Sequence, residues 1–460
     1  MREISLRINN QEVDQARLWH VLTFIGAHLD IKFILKDKDY DILYGIENKD
    51  ENRYKFHIPF DEQLFRGDSP AKWRIADNIL LLYSDVITGD DVVESHENIF
   101  KFKFDIFAAI FFLISRTEEY SCSVEDTHGR FPYSESILYK SNQLLDTPVD
   151  IYLNLIKSVF NKCGLEVNDK RQPTIILSHD IDQPLRSLKG SLKLIAVGER
   201  PFGSRIQGLI DSMVNPASIE NNPFWNFNSY MDIENQYGYS STWFFTNPFE
   251  RTRYDPKYDI ASQRFRNVIN DLKANDNEIG LHSSYNSMSD EHKLGVEKSG
   301  AENKIRFKIT GNRNHYLKLK IGNDLNKLVD AGFNYDSTMG YSSVLGYRCG
   351  TGLPFCLFDF ENNRSLPLIE IPFAIMDSAI MAYNDKSVIL SIVDQLLNNA
   401  LEHKGTLGIL WHLRTAYDVD YPGWLTIYEY ILKKAHELGF TNMTSEKCFS
   451  RFQNINNELG

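Results

Sequence analysis

From residue 174 onward, short apolar runs of strand character alternate with helical patterns, and this constrains the fold of the 460-residue chain more than any other feature. The strand-like runs are 174–177, 241–245, 278–281, 305–309, 368–372, 405–411 and 440–444. Helical patterns fall at about 261–275, 323–331, 387–403 and 423–438. Strands separated by crossover helices enter a sheet in the same direction, so the pattern predicts an α/β fold. Its sheet is expected to be largely parallel and closed, or nearly closed, into a barrel. Ahead of it, residues 1–165 mix short strand-like runs with one strong helix at 105–120, apolar nearly all round until its charged end, as a buried helix is. That region predicts a smaller α+β or α/β domain. Residues 161–173, ending in Pro173, predict the linker, which gives domains 1–165 and 166–460. Residues 187–228, rich in Gly, Pro and Asn, read as an insertion that walls or covers a site.

Composition narrows the partners. The formal net charge of −12 argues against a nucleic-acid backbone as the main ligand. The first residues, Met1-Arg-Glu-Ile-Ser-Leu-Arg, contain no apolar core of a secretory signal. The longest apolar stretch, 106–115, is about half of what a bilayer requires. The five cysteines, Cys122, Cys163, Cys349, Cys356 and Cys448, form no regular framework and read as reduced thiols. These observations predict a cytoplasmic protein with no transmembrane segment. The 13% aromatic content fits an aromatic-rich core as well as a sugar-stacking surface.

The first strand of the second region ends in chemistry: Thr174-Ile-Ile-Leu-Ser-His-Asp-Ile-Asp182. In α/β sheets the carboxyl ends of strands gather ligands and catalytic groups. Asp180 and Asp182 stand two apart, so a continuing strand aims both carboxylates the same way. Like charges so placed need a cation, a shared proton or strong donors. Glu278-Ile-Gly-Leu-His-Ser-Ser-Tyr-Asn286 repeats the design and ends in the metal-competent His282. His412 closes the apolar run 405–411, and Glu370 sits in another strand-end segment, Glu370-Ile-Pro-Phe373.

These residues carry a resemblance. Ser-His-Asp180-Ile-Asp182 resembles the first motif of the polysaccharide deacetylases, the NodB-like carbohydrate esterases. His282-Ser-Ser-Tyr-Asn286 resembles their second, H-[ST]-x-x-H, motif. Asn312-Arg313-Asn-His315-Tyr resembles the arginine-containing third, and Leu410-Trp411-His412 the late L-x-H motif. Residues 105–120 and Asp126-Thr-His-Gly-Arg-Phe131 are similar to a domain often fused ahead of such enzymes in bacterial surface-polysaccharide clusters. The resemblance implies a distorted (β/α) barrel of seven or eight strands, and a divalent metal, usually zinc, with cobalt, nickel or manganese as alternatives. It implies Asp182 and His282 as metal ligands and Asp180 as the base that deprotonates water. Arg313 would orient that base, and His412 would protonate the leaving amine. His315, Trp411, Glu370 and Tyr285 are candidates for substrate contact. The implied substrate is an acetylated amino sugar in a polysaccharide or its nucleotide- or lipid-linked precursor.

One residue departs from the pattern. Where the family carries its second histidine ligand, this chain has Asn286, and an amide oxygen is a poor zinc ligand. Three readings follow: Asp182, His282 and Asn286 hold the metal weakly with waters; His315 or His179 completes the set; or no metal binds and the domain is a glycan-binding relic. A scaffolding role in polysaccharide assembly and hydrolysis of a small non-sugar amide are the rival functions. Each residue also has a structural explanation. Asp is common in turns and caps, His179 points away from its acidic neighbours on a regular strand, and Trp411 and Trp424 fit a core. Asp336-Ser-Thr-Met-Gly340 shapes either a groove or a turn.

Overall fold

The computed structural model describes residues 1–47, 54–67, 71–84, 91–96, 98–186, 207, 210–211, 221–383 and 385–459. Two sheets organise the chain. The first belongs to the N-terminal region and has six strands, in the spatial order Ile31–Leu35, Arg2–Asn9, Ile42–Gly45, Phe56–Ile58, Ile99–Phe102 and Val93–His96. All its pairings are parallel except the last. A separate hairpin joins Lys72–Ala76 to Ile79–Tyr83.

The second sheet has ten strands. Its path runs Phe355–Asp359, Arg364–Glu370, Tyr335–Asp336, Gly311–Asn314, Glu278–Ser283, Ser241–Phe245, Thr174–Ile181, Thr406–Leu410 and Ile375–Met376, with Thr441–Asn442 also on Thr174–Ile181. Every pairing is parallel except that of Phe355–Asp359 with Arg364–Glu370. The expectation of parallel βα units is met, in a curled sheet that forms part of a barrel. Among the described residues the outermost strands, Phe355–Asp359 and Ile375–Met376, do not pair with each other, so the sheet stays open. Thr174–Ile181 is buried along its whole length, as a central parallel strand covered on both faces must be.

Two sequence expectations shift. The run 305–309 is no strand: helix Lys293–Ile305 ends there, Arg306 turns left-handed at φ 63°, and the strand is the polar Gly311–Asn314. The helix expected at 105–120 breaks into Ile106–Ile114 and Thr117–Ser121, because Arg116 adopts φ 59°. That turn drives its guanidinium inward, where it bonds Glu118, Glu119 and the Leu113 carbonyl. The insertion expected at 187–228 lies largely outside the described residues.

Helix Ile106–Ile114 is buried at every position and joins the two regions. The Phe111 ring meets Phe358 of the second sheet edge-on at 5.0 Å. One continuous apolar cluster runs from Ile4 to Phe440. Polar ties cross as well: Glu119 pairs with Arg348, and Arg130 donates to the Tyr316 carbonyl and to Ser342. No helix among the described residues is long and apolar enough to cross a membrane.

Candidate functional site

A cavity of about 1070 Å³ opens at the carboxyl edge of the second sheet. Asp180, Asp182, His282, His315, His412 and Arg414 all line it. The first strand delivers Asp180 and Asp182 on one side, as the two-residue repeat requires. His179, between Ser178 and Asp180, faces the opposite way. It is fully buried, with Nδ1 2.8 Å from the Trp411 carbonyl and Nε2 2.7 Å from Glu234. It therefore packs and is no candidate for completing a metal site.

Asp180 is buried and held by two neighbours. Arg313 Nη1 donates to Oδ1 at 2.9 Å, and His282 Nε2 lies 3.8 Å from Oδ2. Burial pushes the Asp180 carboxyl up, but the Arg313 charge, then His282 and His412, outweigh it and hold it below the ordinary carboxylate range. Arg313 is itself fixed. It donates to the Ser178 hydroxyl, the Ser337 carbonyl and the Ser337 hydroxyl, and lies 4.4 Å over the Phe244 ring. It does not reach the cavity surface, so its role runs through Asp180.

His412 is backed by a residue that sequence reasoning missed. Asp377 accepts from His412 Nδ1 at 2.7 Å and from the His412 backbone N–H at 2.8 Å. That leaves Nε2 toward the cavity, 3.6 Å from Asp182. Burial lowers the imidazole pKa, yet Asp377 and then Asp182 win, and it stands above its ordinary value. A carboxylate that fixes the tautomer and stabilises the imidazolium favours proton donation.

His282 and His315 face each other with ring centroids 4.8 Å apart. The Nδ1 of His282 bonds the Arg313 carbonyl at 3.0 Å, and that of His315 stands 3.4 Å from Asp255, another partner missed from sequence. Desolvation brings the His282 pKa down to about 4. Next to His315 the backbone of Tyr316 and Leu317 is left-handed, at φ 62° and 54°. Two consecutive non-glycine residues so placed store strain of the kind found at ligand sites. Tyr316 joins Tyr254, Tyr285 and His128 in a cluster of rings at the rim. His128 comes from the N-terminal region and bonds the Tyr285 hydroxyl at 3.0 Å.

Other candidates fall elsewhere. Asn286 is exposed and does not line the cavity. After His282 the chain runs through the strand end, a turn and a short 3-10 helix Ser287–Ser289, not a helical turn that would bring positions 282 and 286 to one face. Trp411 is fully buried, because the strand alternation that turns His412 inward turns it away, and it packs on Tyr428 at 5.2 Å. Glu370 is also buried outside the cavity, opposite Asp336 in the ladder, with Oε1 accepting from the Met339 N–H. Desolvation and then the Asp336 charge raise its pKa well above the ordinary value, so it serves as a structural acid. Tyr285 belongs to the ring cluster at the rim.

Asp182, His282 and His315 all line the cavity, the two histidine rings 4.8 Å apart, and would be the side chains to hold the divalent ion implied by the resemblance, but Arg414 already occupies Asp182. Both oxygens of Asp182 lie 2.9 Å from Arg414 Nη1, and Asn286 is out of reach. Among the described residues no three His, Cys, Asp or Glu side chains are grouped so as to hold a metal.

Residues 7–164 match the model of a family of unknown function, DUF7033. No curated protein matches the chain. Among solved structures, a putative polysaccharide deacetylase from Mycobacterium smegmatis is similar at 13% identity and TM-score 0.40, over 63% of this chain and 92% of that one. The chitin deacetylase of Colletotrichum lindemuthianum aligns at 12% identity and TM-score 0.34, over 61% and 88%. The peptidoglycan deacetylase PdaC of Bacillus subtilis aligns at 15% and 0.33, over 64% and 96%. At such scores these likenesses decide nothing about the chemistry, which rests on the geometry above.

Proposed function

We propose that the chain is a carbohydrate N-deacetylase, a hydrolase that removes an acetyl group from the nitrogen of an amino sugar. The observation that carries the reading is convergence. Three separate strands bring the motif residues Asp180, His282 and His412 to one open polar cavity, and a fourth holds Arg313 behind Asp180. Asp180, kept ionised by Arg313, accepts a proton from the attacking water. His412, whose imidazolium Asp377 stabilises, gives one to the departing nitrogen. One carboxylate and one imidazolium across a cavity are the acid–base pair that amide hydrolysis requires. The sugar substrate follows from the ordered motifs, and the ring cluster of Tyr254, Tyr285, Tyr316 and His128 offers a face for it to stack on. The test is acetate release from a panel of acetylated amino sugars, including chitooligosaccharides and a nucleotide-linked N-acetylhexosamine. Turnover of at least one supports the reading, and none with any substrate refutes it.

A glycan-binding protein without turnover is the second reading. The observation favouring it is that Arg414 already engages Asp182. Saturable oligosaccharide binding with no acetate release selects it.

A further inference from the structure

The centre contains a cation of its own. Arg414 belongs to the 3-10 turn Leu413–Ala416, directly after His412. Its Nη1 is equidistant, at 2.9 Å, from the two oxygens of Asp182, the carboxylate that the resemblance makes a metal ligand. The side chain lines the cavity, yet among the described residues its other guanidinium nitrogens have no hydrogen-bond partner. Asp182 and Arg414 are both mostly buried, with side chains 21% and 18% exposed. A divalent ion arriving at Asp182 would have to displace the guanidinium and sit beside it, cation against cation.

The geometry points to Arg414 as the resident cation of this centre, in the place on Asp182 that a divalent ion is expected to take, so that the chain binds no stoichiometric metal there. This inference rests on the reading of the cavity as a reaction centre, but it is measured without substrate. A guanidinium differs from a divalent ion in what it supplies. It brings one charge, directional N–H donors and no exchangeable water, and it stays charged at any pH the protein survives. Activation of water then falls to Asp180, which the structure holds ionised by a different arginine. The Arg414 side chain lines the cavity, where its N–H groups can meet an oxygen of the bound ligand.

The test is a zinc and cobalt titration of the chelator-treated full chain by calorimetry, with metal content after dialysis read by mass spectrometry. Wild type, Arg414→Met and the double variant Arg414→Met/Asp182→Asn are compared, each first checked for a native thermal transition. Arg414→Gln replaces the Met variant if that one does not fold. The expected result is no stoichiometric ion in wild type. One ion per chain is expected in Arg414→Met, held by Asp182, His282 and His315, which are free to close on it once the guanidinium is gone, and its loss in the double variant. The inference is overturned if wild type binds one ion that disappears on Asp182→Asn. It is equally overturned if neither wild type nor Arg414→Met binds one, since Arg414 would then not stand in an ion's place. Acetate release is scored separately, so a metal-free chain that hydrolyses nothing sinks the hydrolase reading and leaves this one standing.

Discussion

Replacing Glu119 by Gln should be among the most damaging single changes away from the cavity. Glu119 lies in the short helix Thr117–Ser121 of the N-terminal region, and its side chain is 3% exposed. Its carboxylate accepts from Arg116 Nε at 2.8 Å, from Arg348 Nε at 2.8 Å and from Arg348 Nη2. The two arginines are as buried as the acid, at 0% and 2%. They are not equally exposed to its loss. Arg116 keeps Glu118 at 2.7 Å, whereas Arg348 is left with the Gly340 carbonyl at 3.5 Å. Breaking a buried pair by removing one partner costs about 3–5 kcal/mol, because the other charge stays buried without compensation. Urea unfolding at 25 °C should show that loss in Glu119→Gln, as a lower midpoint at unchanged slope. The companion Glu119→Gln/Arg348→Met removes the stranded charge and should recover more than half of it. A loss below about 1 kcal/mol, as for an exposed ion pair, or a double variant that is simply the sum of its parts, refutes the reasoning.

The remaining predictions are briefer. Asp377→Asn should lower kcat by about tenfold or more with little change in KM, since Asp377 acts only through His412, and a proportionate rise in KM would contradict that role. Glu278, buried with a pKa raised to about 7 chiefly by desolvation, is neutral in the fold where the unfolded chain is already ionised. Its contribution is therefore full below about pH 4.5 and lost as pH rises to about 7. Relative to Glu278→Gln, wild type should lose on the order of 3 kcal/mol across that window and then level off; a pH-independent difference in urea midpoints would rule this out. Gly352→Ala should destabilise by about 1–3 kcal/mol or more, because its Cβ would fall 1.8 Å from the Thr406 carbonyl oxygen in the neighbouring strand; an unchanged melting temperature would show that the strand moves freely.

Much of this molecule is readable in the chain, and the misses share causes. Ser241–Phe245 and the surroundings of Thr174 announce themselves because each carries a run of buried apolar residues, Trp243–Phe245 and Ile175–Leu177. Gly311–Asn314 does not, since a glycine and three buried polar residues have no hydrophobic pattern. The apolar Ile305 and Ile309 beside it took its place in the reading. Asp180, Asp182, His282 and His412 were legible because each ends or follows a strand of the expected kind. Asp377, Asp255 and Arg414 were not, because a carboxylate or guanidinium meets its partner only once the strands are side by side. Asn286 was placed by its position in the motif alone, and the turn that follows the strand carries it to the surface.

The most direct test of the central claim compares acetate release by wild type and Asp180→Asn, matched for thermal stability, on the best acetylated amino sugar found. The account predicts steady turnover by wild type and a fall of at least about a hundredfold in the variant, the scale of a lost general base. Equal turnover by the two proteins would contradict it.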